Sequence, residues 1–161
     1  MRKLLLLLTT FALVACHHHE VPQGEQMLQQ LNEQQISLLI YNNDSASDYH
    51  QHGVRDLLML VQTEPERLQG SIVADKMVGK AAAALMVLGG VKEVHTNTIC
   101  TPAKEMLQQA GIQVLFTDEV PYIINKAKTG QCPLDSRLND IPAAECLPII
   151  IDFYQEIDNK Q

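Results

Sequence analysis

The chain of 161 residues contains no tryptophan, and aromatic residues make up only 4% of it. Proteins that bind single-stranded nucleic acids commonly stack the bases on aromatic side chains, so this scarcity argues against such a surface. Basic residues are also few, because 12 lysines and arginines face 19 acidic residues and leave a net charge of −7. A basic patch is the usual footprint of a nucleic-acid-binding domain. We therefore expect no nucleic-acid partner.

At the N-terminus, two basic residues precede the largely apolar stretch from Leu4 to Leu13. This stretch is too short for a permanent membrane-spanning helix and has the layout of a signal peptide. The next residues, Leu13-Val14-Ala15-Cys16, resemble the lipobox of bacterial lipoproteins. The resemblance implies a signal peptide over residues 1–15 and a lipid on Cys16. Such a protein is anchored in the cell envelope, on the periplasmic or extracellular face of a membrane.

Residues 16–24 predict a polar tether between this anchor and a folded domain. The tether contains His17-His18-His19, followed by Pro22 and Gly24, which are typical of loops. A histidine tract can capture a metal, but this one is too short to form a closed site by itself. We therefore predict a single α/β domain over residues 25–161, a length that suits one domain.

The first half of this domain predicts a helix, a hairpin and a second helix. Helical spacing of apolar residues indicates a helix over Glu25–Gln35, and a compact apolar run indicates a strand over Ile36–Tyr41. Turn-forming residues follow, so Asp48–His52 is expected to return as a weak strand. Apolar residues at i, i+3, i+4 and i+7 then predict a helix over Val54–Gln62.

The stretch from Ser71 to Gly90 predicts the centre of the domain. A short β-branched run, Ser71–Ala74, indicates a buried strand, and Asp75 has the chemistry of a helix N-cap. The following helix, Met77–Leu88, is apolar nearly all round, which is typical of a helix that is buried on most sides. Gly89-Gly90 ends it.

Lys76 and Lys80 are unusual at the start of such a helix. They lie four residues apart and would share a face, at the end where the helix dipole disfavours a cation. Either carboxylates pair with the two lysines, or the lysines and the free N–H groups of the helix form an anion site. Both interpretations stay open.

The second half continues the alternation of strands and helices. Strands are predicted over Val91–Ile99 and Ile112–Phe116, with a helix over Ala103–Ala110 between them. Such an order implies parallel strands with right-handed crossovers and helices on the faces of the sheet. A closing helix is expected over Ala143–Asp158, bent or restarted at Pro148.

Polar side chains follow the three strands of this alternating segment. In open parallel sheets, ligands bind beyond the carboxyl ends of the strands. We therefore expect a site among the residues that follow the predicted strands, which are Asp75, Lys76, Asn97, Thr98, Cys100, Asp118 and Glu119.

Three cysteines remain after Cys16, namely Cys100, Cys132 and Cys146. One disulfide and one free thiol are possible in an oxidising compartment, and the sequence does not choose among the pairings. A nucleophilic thiol would need a base and a lowered pKa. A buried structural role or a disulfide is the simpler prediction for these residues.

Three stretches resemble a family of small bacterial and archaeal proteins that is classed as a domain of unknown function. They are GVRDLLMLV, VADKMVGKAAAALMVLGGVKEVHTNTIC and VPYIINKAKTGQCPLD, and the resemblance runs from about Ile36 to Pro133. Members of the family look like cytidine deaminases in fold. The resemblance implies a three-layer α/β sandwich, cytidine-deaminase-like, with a mixed sheet and helices on both faces. It also implies that Asn125 and Cys132 belong to a pocket with Lys76 and Lys80.

The same resemblance argues against zinc-dependent deamination. Zinc deaminases carry His-x-Glu or Cys-x-Glu at the core helix and Pro-Cys-x-x-Cys at the next. The corresponding stretches here are Asp75-Lys76-Met77 and Cys100-Thr101-Pro102-Ala103-Lys104, which supply one thiol. A catalytic zinc needs three protein ligands. We therefore expect no zinc and no other cofactor.

The sequence thus favours a membrane-anchored binding module for a small anionic ligand or a protein partner. The candidate ligand-binding residues are Asp75, Lys76, Lys80, Asn97, Asn125 and Cys132. Two alternatives stay open. The first is a thiol- or lysine-dependent enzyme that uses Cys132 or Cys100, and the second is a structural lipoprotein of the envelope.

Overall fold

A computed structural model describes residues 24–34 and 36–160 of the chain. The predicted signal peptide, Cys16 and nearly all of the predicted tether lie outside these residues. The described part contains six α-helices, five β-strands and a short 3₁₀ turn at Pro65–Arg67. In chain order the helices and strands are α1 (Gly24–Glu33), β1 (Leu38–Asn42), β2 (Ser45–Tyr49), α2 (Arg55–Thr63), β3 (Ile72–Val78), α3 (Lys80–Leu88), β4 (Glu93–Cys100), α4 (Thr101–Gln109), β5 (Gln113–Val120), α5 (Pro133–Arg137) and α6 (Ala143–Asp158).

The five strands form one mixed sheet in the order β2-β1-β3-β4-β5. β1 is antiparallel to both of its neighbours, whereas β3, β4 and β5 are parallel to one another. The hairpin of β1 and β2 and the parallel pairing of β3, β4 and β5 are the parts of this arrangement that the sequence predicts, because parallel neighbours require crossover helices. The expected α/β class and mixed sheet are therefore confirmed.

Helices cover both faces of the sheet, and two separate cores result. The larger core packs α3 against the sheet and against α2, α4 and α6. The smaller core packs α1 on the opposite face, with Met27 and Leu31 against Leu39, Tyr41 and Ala74. Side chains alternate along a strand, so β1 sends Leu38 and Ile40 into one core and their neighbours into the other.

The central position predicted for the helix Met77–Leu88 is confirmed, although this helix, α3, begins only at Lys80. All residues of α3 from Lys80 to Met86 are buried, and the alanine run lets α4 and α6 approach closely. Strong helix formers and a nearly continuous apolar surface explain why this segment is helical and buried.

Several predicted boundaries are wrong, and the largest error concerns β3. This strand continues to Val78 instead of ending at Ala74, because Asp75, Met77 and Val78 remain paired with β4. The hairpin also returns earlier than predicted, at Ser45 rather than Asp48. Asn43 and Asp44 both adopt positive φ, which makes the tight two-residue turn that matches the twist of the strands.

The C-terminal third differs in two further respects. The short helix α5 is not predicted by the sequence pattern, although Pro133 occupies the early helical position that proline prefers. Pro148 does not restart the closing helix, since α6 is continuous from Ala143 to Asp158. β5 is also longer than predicted and is largely exposed, because among the described residues no strand pairs with its outer side.

Candidate functional site

A cleft of about 1020 Å³ opens where β3 meets the start of α2, the segment 123–127, α5 and the end of α6. We call it the main cleft. The side chains that matter for its chemistry are Arg55, Asp75, Lys76, Asn125, Cys132 and Tyr154. Its volume is at the upper end of the range of ligand pockets. Four of the six predicted ligand-binding residues line it, namely Asp75, Lys76, Asn125 and Cys132.

Asp75 lies within β3 and does not cap a helix, so the predicted N-cap role is wrong. Its carboxylate accepts a hydrogen bond from the backbone N–H of Met77 at 3.0 Å. Desolvation by the surrounding residues raises the pKa of this carboxyl to about 7, and it outweighs the N–H groups and the charge of Lys76, which act in the opposite direction. A carboxyl that titrates near neutral pH in a cleft is a common property of functional sites.

Lys76 and Lys80 do not share a helix face, because β3 runs through Lys76 and α3 begins at Lys80. Lys76 lines the main cleft, whereas Lys80 lines a different cavity on the far side of the α3 N-terminus. The prediction that the two lysines form one anion site is therefore wrong. The reason is that the strand includes the residues that the sequence pattern assigns to the first helical turn.

The N-terminus of α3 is capped by Asp135, a residue that no sequence pattern selected. Its carboxylate accepts the backbone N–H of Ala81 at 3.1 Å and is also bonded by the N–H of Lys80. Burial raises the pKa of the Asp135 carboxyl, although these hydrogen bonds and the charge of Lys80 oppose the rise. Because these N–H groups bind a carboxylate of the chain itself, they do not offer the predicted anion site.

The close packing of Asp135 depends on Gly79. A Cβ atom at position 79 would lie 2.2 Å from Oδ2 of Asp135, which is far inside contact distance. Only a glycine leaves room for the carboxylate at this point. The sequence offers one signal of this, since Gly79 lies two positions before the alanine run, but nothing in it indicates a partner 56 positions away.

The three thiols lie in different surroundings, and all three are free. Cys132 is half-buried and lines the main cleft. Cys100 is buried at the start of α4, and burial raises the pKa of its thiol, in spite of hydrogen bonds from the backbone N–H groups of Ala103 and Lys80. Burial likewise raises the pKa of Cys146, which the charge of Lys80 opposes. A raised pKa makes Cys100 and Cys146 poor nucleophiles.

The other predicted residues at the edge of the sheet do not join the main cleft. Asn97 faces α1, and its side chain is bonded to that of Asn32 at 3.5 Å. Glu119 is bonded to Lys104 at 2.6 Å and to Thr101 at 2.8 Å, and these contacts lower the pKa of its carboxyl. The expected cluster of seven residues beyond the strands is therefore wrong, because each of the seven is still within a strand.

Asn125 holds the loop that forms one wall of the main cleft. Its Oδ1 accepts the backbone N–H of Thr129 at 3.1 Å, and its Nδ2 donates to Oγ1 of Thr129 at 3.0 Å. The sequence pattern predicts no clear secondary structure for this loop, and a single bridge between Ile124 and Gln131 closes it. The amide of Asn125 thus shapes the cleft through its own loop.

The opposite wall carries basic and aromatic side chains that the sequence patterns did not select. The guanidinium of Arg55 lies 4.3 Å from the ring centre of Tyr154 and is bonded to Asp158. The hydroxyl of Tyr154 accepts the backbone N–H of Val54 at 3.0 Å, which ties α6 to the start of α2. Lys126 and His52 complete the polar lining. Val54 and Tyr154 are 100 positions apart in the sequence, so no local sequence pattern indicates their contact.

Within residues 24–34 and 36–160, no group of three histidine, cysteine or acidic side chains is arranged to hold a metal ion. The starts of α3 and α4 hold Gly79-Lys80-Ala81 and Cys100-Thr101-Pro102-Ala103, which include one side chain of the zinc-binding kind, the thiol of Cys100. Nor does any helix in this part of the chain have the length and apolar character needed to cross a bilayer.

Comparisons with known proteins identify a family and a similar solved structure. Residues 26–154 match the family described as domain of unknown function DUF1893. The chain is also similar to the crystal structure of a DUF1893 family protein from Thermotoga maritima, with 26% sequence identity and a TM-score of 0.73. That match covers 84% of this chain and 94% of the other. No curated protein matches the chain.

Proposed function

The chain belongs to the DUF1893 family, whose function is unknown, and from its main cleft we propose that it is a binding module for a small organic anion. The observation that carries this proposal is the charge of the cleft lining. Lys76 and Lys126 both line it, and neither forms an ion pair among the described residues. Unpaired cations around a concave apolar surface favour an anionic ligand.

The two carboxyl groups in the cleft are compatible with an anion. The carboxylate of Asp135 accepts hydrogen bonds from the N–H groups at the start of α3. Asp75, with a pKa raised to about 7 by desolvation, is readily protonated near neutral pH. A protonated carboxyl donates a hydrogen bond, so Asp75 can bind an oxygen of the ligand beside Lys76.

The remaining lining favours a ligand with an apolar or aromatic body. Ile123, Leu134, Phe153 and Ile157 line the cleft next to the ring of Tyr154. Aromatic and aliphatic side chains around a few polar groups are typical of sites for small organic molecules. We therefore propose a ligand with a planar or aliphatic body and one phosphate or carboxylate group.

A thermal-shift measurement on the full chain, purified in detergent, tests this function. The probes are adenosine monophosphate, cytidine monophosphate, phenyl phosphate and benzoate. A ligand at a hundred times its Kd stabilises a protein by about 2.7 kcal/mol, which raises Tm by roughly 5–11 °C for a domain of this size.

The matched variants are Lys76→Met and Lys92→Met. Lys92 is an exposed lysine outside the cleft, so its loss should leave the Tm shift unchanged. We expect Lys76→Met to abolish the shift. A shift that survives in Lys76→Met, or no shift with any of the probes, would reject the proposal and favour a protein partner or a structural role.

A thiol-dependent enzyme is the second candidate. Cys132 is a better candidate nucleophile than Cys100, because Cys132 lines the main cleft and Cys100 is buried. Such an enzyme needs a reactive thiolate that a substrate can reach. Mass spectrometry after brief treatment with N-ethylmaleimide at neutral pH measures this reactivity. Labelling of Cys132 well above the rate of glutathione supports the enzyme, whereas labelling at or below that rate argues against it.

We also propose that the domain is cytidine-deaminase-like in its fold while lacking zinc-dependent chemistry. The mixed sheet covered by helices on both faces supports the fold. The starts of α3 and α4 supply one thiol as a possible zinc ligand. This supports the lack of zinc-dependent chemistry, because a catalytic zinc needs three protein ligands. Zinc titration of the metal-free protein with a colorimetric chelator as competitor tests it, and stoichiometric tight binding would contradict it.

Finally, we propose that the protein is a lipoprotein of the cell envelope, anchored through Cys16. The support is the lipobox sequence and the short separation, eight positions, from Cys16 to the start of α1 at Gly24. Eight residues span at most about 28 Å when fully extended, so the domain would stay close to the membrane surface. Replacement Cys16→Ser should move the protein from the membrane fraction to the soluble fraction, and an unchanged distribution would contradict the anchor.

A further inference from the structure

A second cavity, of about 770 Å³, lies between α3, α4 and the segment 139–143. We call it the Lys80 cavity. It is separate from the main cleft, because Lys80 lines only this cavity while its neighbours Gly79 and Ala81 line only the main cleft. The function proposed for the main cleft does not use it.

The side chain of Lys80 is the unusual feature of this cavity. The residue is only 8% exposed, yet its ammonium group forms no ion pair or hydrogen bond with any residue that the structure describes. Lysine is rarely buried to this degree without a partner, because the charged form loses its hydration.

Lys80 lines the open space of the cavity. Every fully buried side-chain nitrogen or oxygen in the described part of the chain has a hydrogen-bond partner, so the unpartnered Nζ keeps some accessible surface. Its charge acts on the thiol of Cys146 in α6 and on the carboxyl of Asp135, which the N–H groups of α3 already bind. A largely buried cation beside a cavity, with no ion-pair partner in the described part of the chain, is suited to bind an anionic group.

The mouth of the cavity carries the opposite charge. Glu105 of α4 and Asp140 of the 139–143 segment both line the cavity and are exposed. Neither carboxylate pairs with Lys80 or with another cation among the described residues. A simple anion would meet these two charges on its way to Lys80, whereas a group with a positive charge would be attracted to them.

We infer that the Lys80 cavity binds a small zwitterion of the amino-acid class. The ligand carboxylate binds Nζ of Lys80 at the floor, and the ligand ammonium lies between Glu105 and Asp140 at the mouth. Val87, Met106 and Ile141 line the walls, so the cavity accepts an aliphatic side chain. Each charge on the ligand then finds an opposite charge that has no partner among the described residues.

The test measures binding of the twenty proteinogenic L-amino acids to the full chain in detergent by ligand-observed NMR. L-Leucine is compared with its two halves, 3-methylbutylamine, which lacks the carboxylate, and 4-methylpentanoate, which lacks the amine. We expect at least one amino acid to bind, and each half of leucine to bind at least tenfold more weakly than leucine does. No binding by any amino acid would overturn the inference, as would a half-ligand that binds as tightly as leucine.

Variants connect the binding to the cavity. Lys80→Met keeps an unbranched side chain that is one heavy atom shorter and removes its charge, so amino-acid binding should fall at least tenfold. Lys76→Met, in the main cleft, should leave amino-acid affinity unchanged, which separates a failure of this inference from a failure of the proposed function. Retained binding in Lys80→Met, or equal losses in both variants, would contradict the assignment.

A third variant covers the case in which Lys80→Met does not fold. Glu105→Gln combined with Asp140→Asn changes only exposed side chains, and asparagine tolerates the positive φ of 62° at position 140. We expect this double variant to weaken amino-acid binding several-fold and to leave the binding of 4-methylpentanoate equal or stronger. Full amino-acid affinity in the double variant would overturn the role given to the two carboxylates.

Discussion

At the scale of single residues, Asp75 links stability to pH. Its carboxyl has a pKa near 3.8 in the unfolded chain and about 7 in the folded protein. Between these values the folded state holds a proton that the unfolded state has released. Stability contributed by this group is therefore complete at low pH and falls as the pH rises from about 4 to about 7.

The variant Asp75→Asn tests this dependence, since asparagine has the same shape and does not titrate. Stability measured by urea unfolding at several pH values should fall for the wild type relative to the variant as the pH rises. A pKa that differs by one between the folded and unfolded states corresponds to about 1.4 kcal/mol. The wild type should therefore lose at most about 4 kcal/mol of unfolding free energy relative to the variant. Partial contact of Asp75 with solvent makes the loss smaller. If the unfolding free energies of the two proteins changed with pH in the same way, this would contradict the predicted role of Asp75.

Gly79 gives a second prediction at this scale, because its missing side chain makes room for Asp135. Replacement Gly79→Ala places a Cβ 2.2 Å from Oδ2 of Asp135 and forces the buried carboxylate away from the N–H groups of α3. Overpacking of this kind costs about 1–3 kcal/mol of unfolding free energy, measured by urea denaturation.

The control for this prediction is Gly130→Ala. A Cβ at position 130 has nothing within 4 Å, and the residue does not need a positive φ. It should change stability by less than about 0.5 kcal/mol, as surface substitutions usually do. Equal effects of the two replacements would show that Gly79 has no special packing role.

At the scale of secondary structure, the sequence predicted which elements exist better than where they end. Apolar periodicity located α2, and a nearly continuous apolar run located α3. The alternation of strands with helices located the parallel part of the sheet. The end of β3 was missed because Asp75 and Lys76 are polar and flank an alanine-rich helix, so local preference favoured helix where pairing with β4 imposed a strand. α5 was missed because five residues carry too little periodicity.

The buried helix α3 carries the prediction at this scale. Leu85 has no exposed surface, whereas Leu88 in the same helix is 38% exposed. Leu85→Ala should lower the unfolding free energy by about 2–5 kcal/mol through lost contacts and the cavity that remains. Leu88→Ala should cost clearly less, since water already reaches this side chain, and urea denaturation of the two variants measures the difference. Similar losses would mean that α3 is not central to the core.

At the scale of the whole molecule, β1 and β3 connect the two cores, because each sends side chains to both faces of the sheet. We therefore expect the domain to unfold in one cooperative step. Leu31→Ala, which removes a fully buried contact of α1, should shift the urea midpoints measured by far-UV circular dichroism and by tyrosine fluorescence equally.

Gln26→Ala, on the exposed side of α1, is the control and should shift neither midpoint. A separate early transition in the Leu31→Ala variant would indicate that α1 unfolds by itself. That result would mean that the smaller core unfolds separately from the larger core, with a lower free energy of unfolding.

The candidate site illustrates the limit of sequence reasoning at this largest scale. Four of the six selected residues meet in the main cleft, since the end of β3 and the motif around Cys132 both lie beside the start of α2. Lys80 and Asn97 do not. Lys80 belongs to α3 because β3 ends only at Val78, and Asn97 faces α1. Asp135, Arg55 and Tyr154 come from segments that are distant in sequence, and only the packing of α5, α6 and α2 brings them to the cleft.

The two edges of the sheet differ, and the difference bears on solubility. The edge strand β2 is polar, whereas β5 exposes Leu115 and Phe116 beside a backbone edge that no described strand pairs with. Such an edge is a template on which a second copy can add a strand, and charged residues on it are a common protection against aggregation. Asp118 supplies that protection here, since the charge of Glu119 is paired with Lys104. High salt screens the repulsion between like charges on neighbouring copies, so concentrated protein should aggregate through β5 more readily as the ionic strength rises.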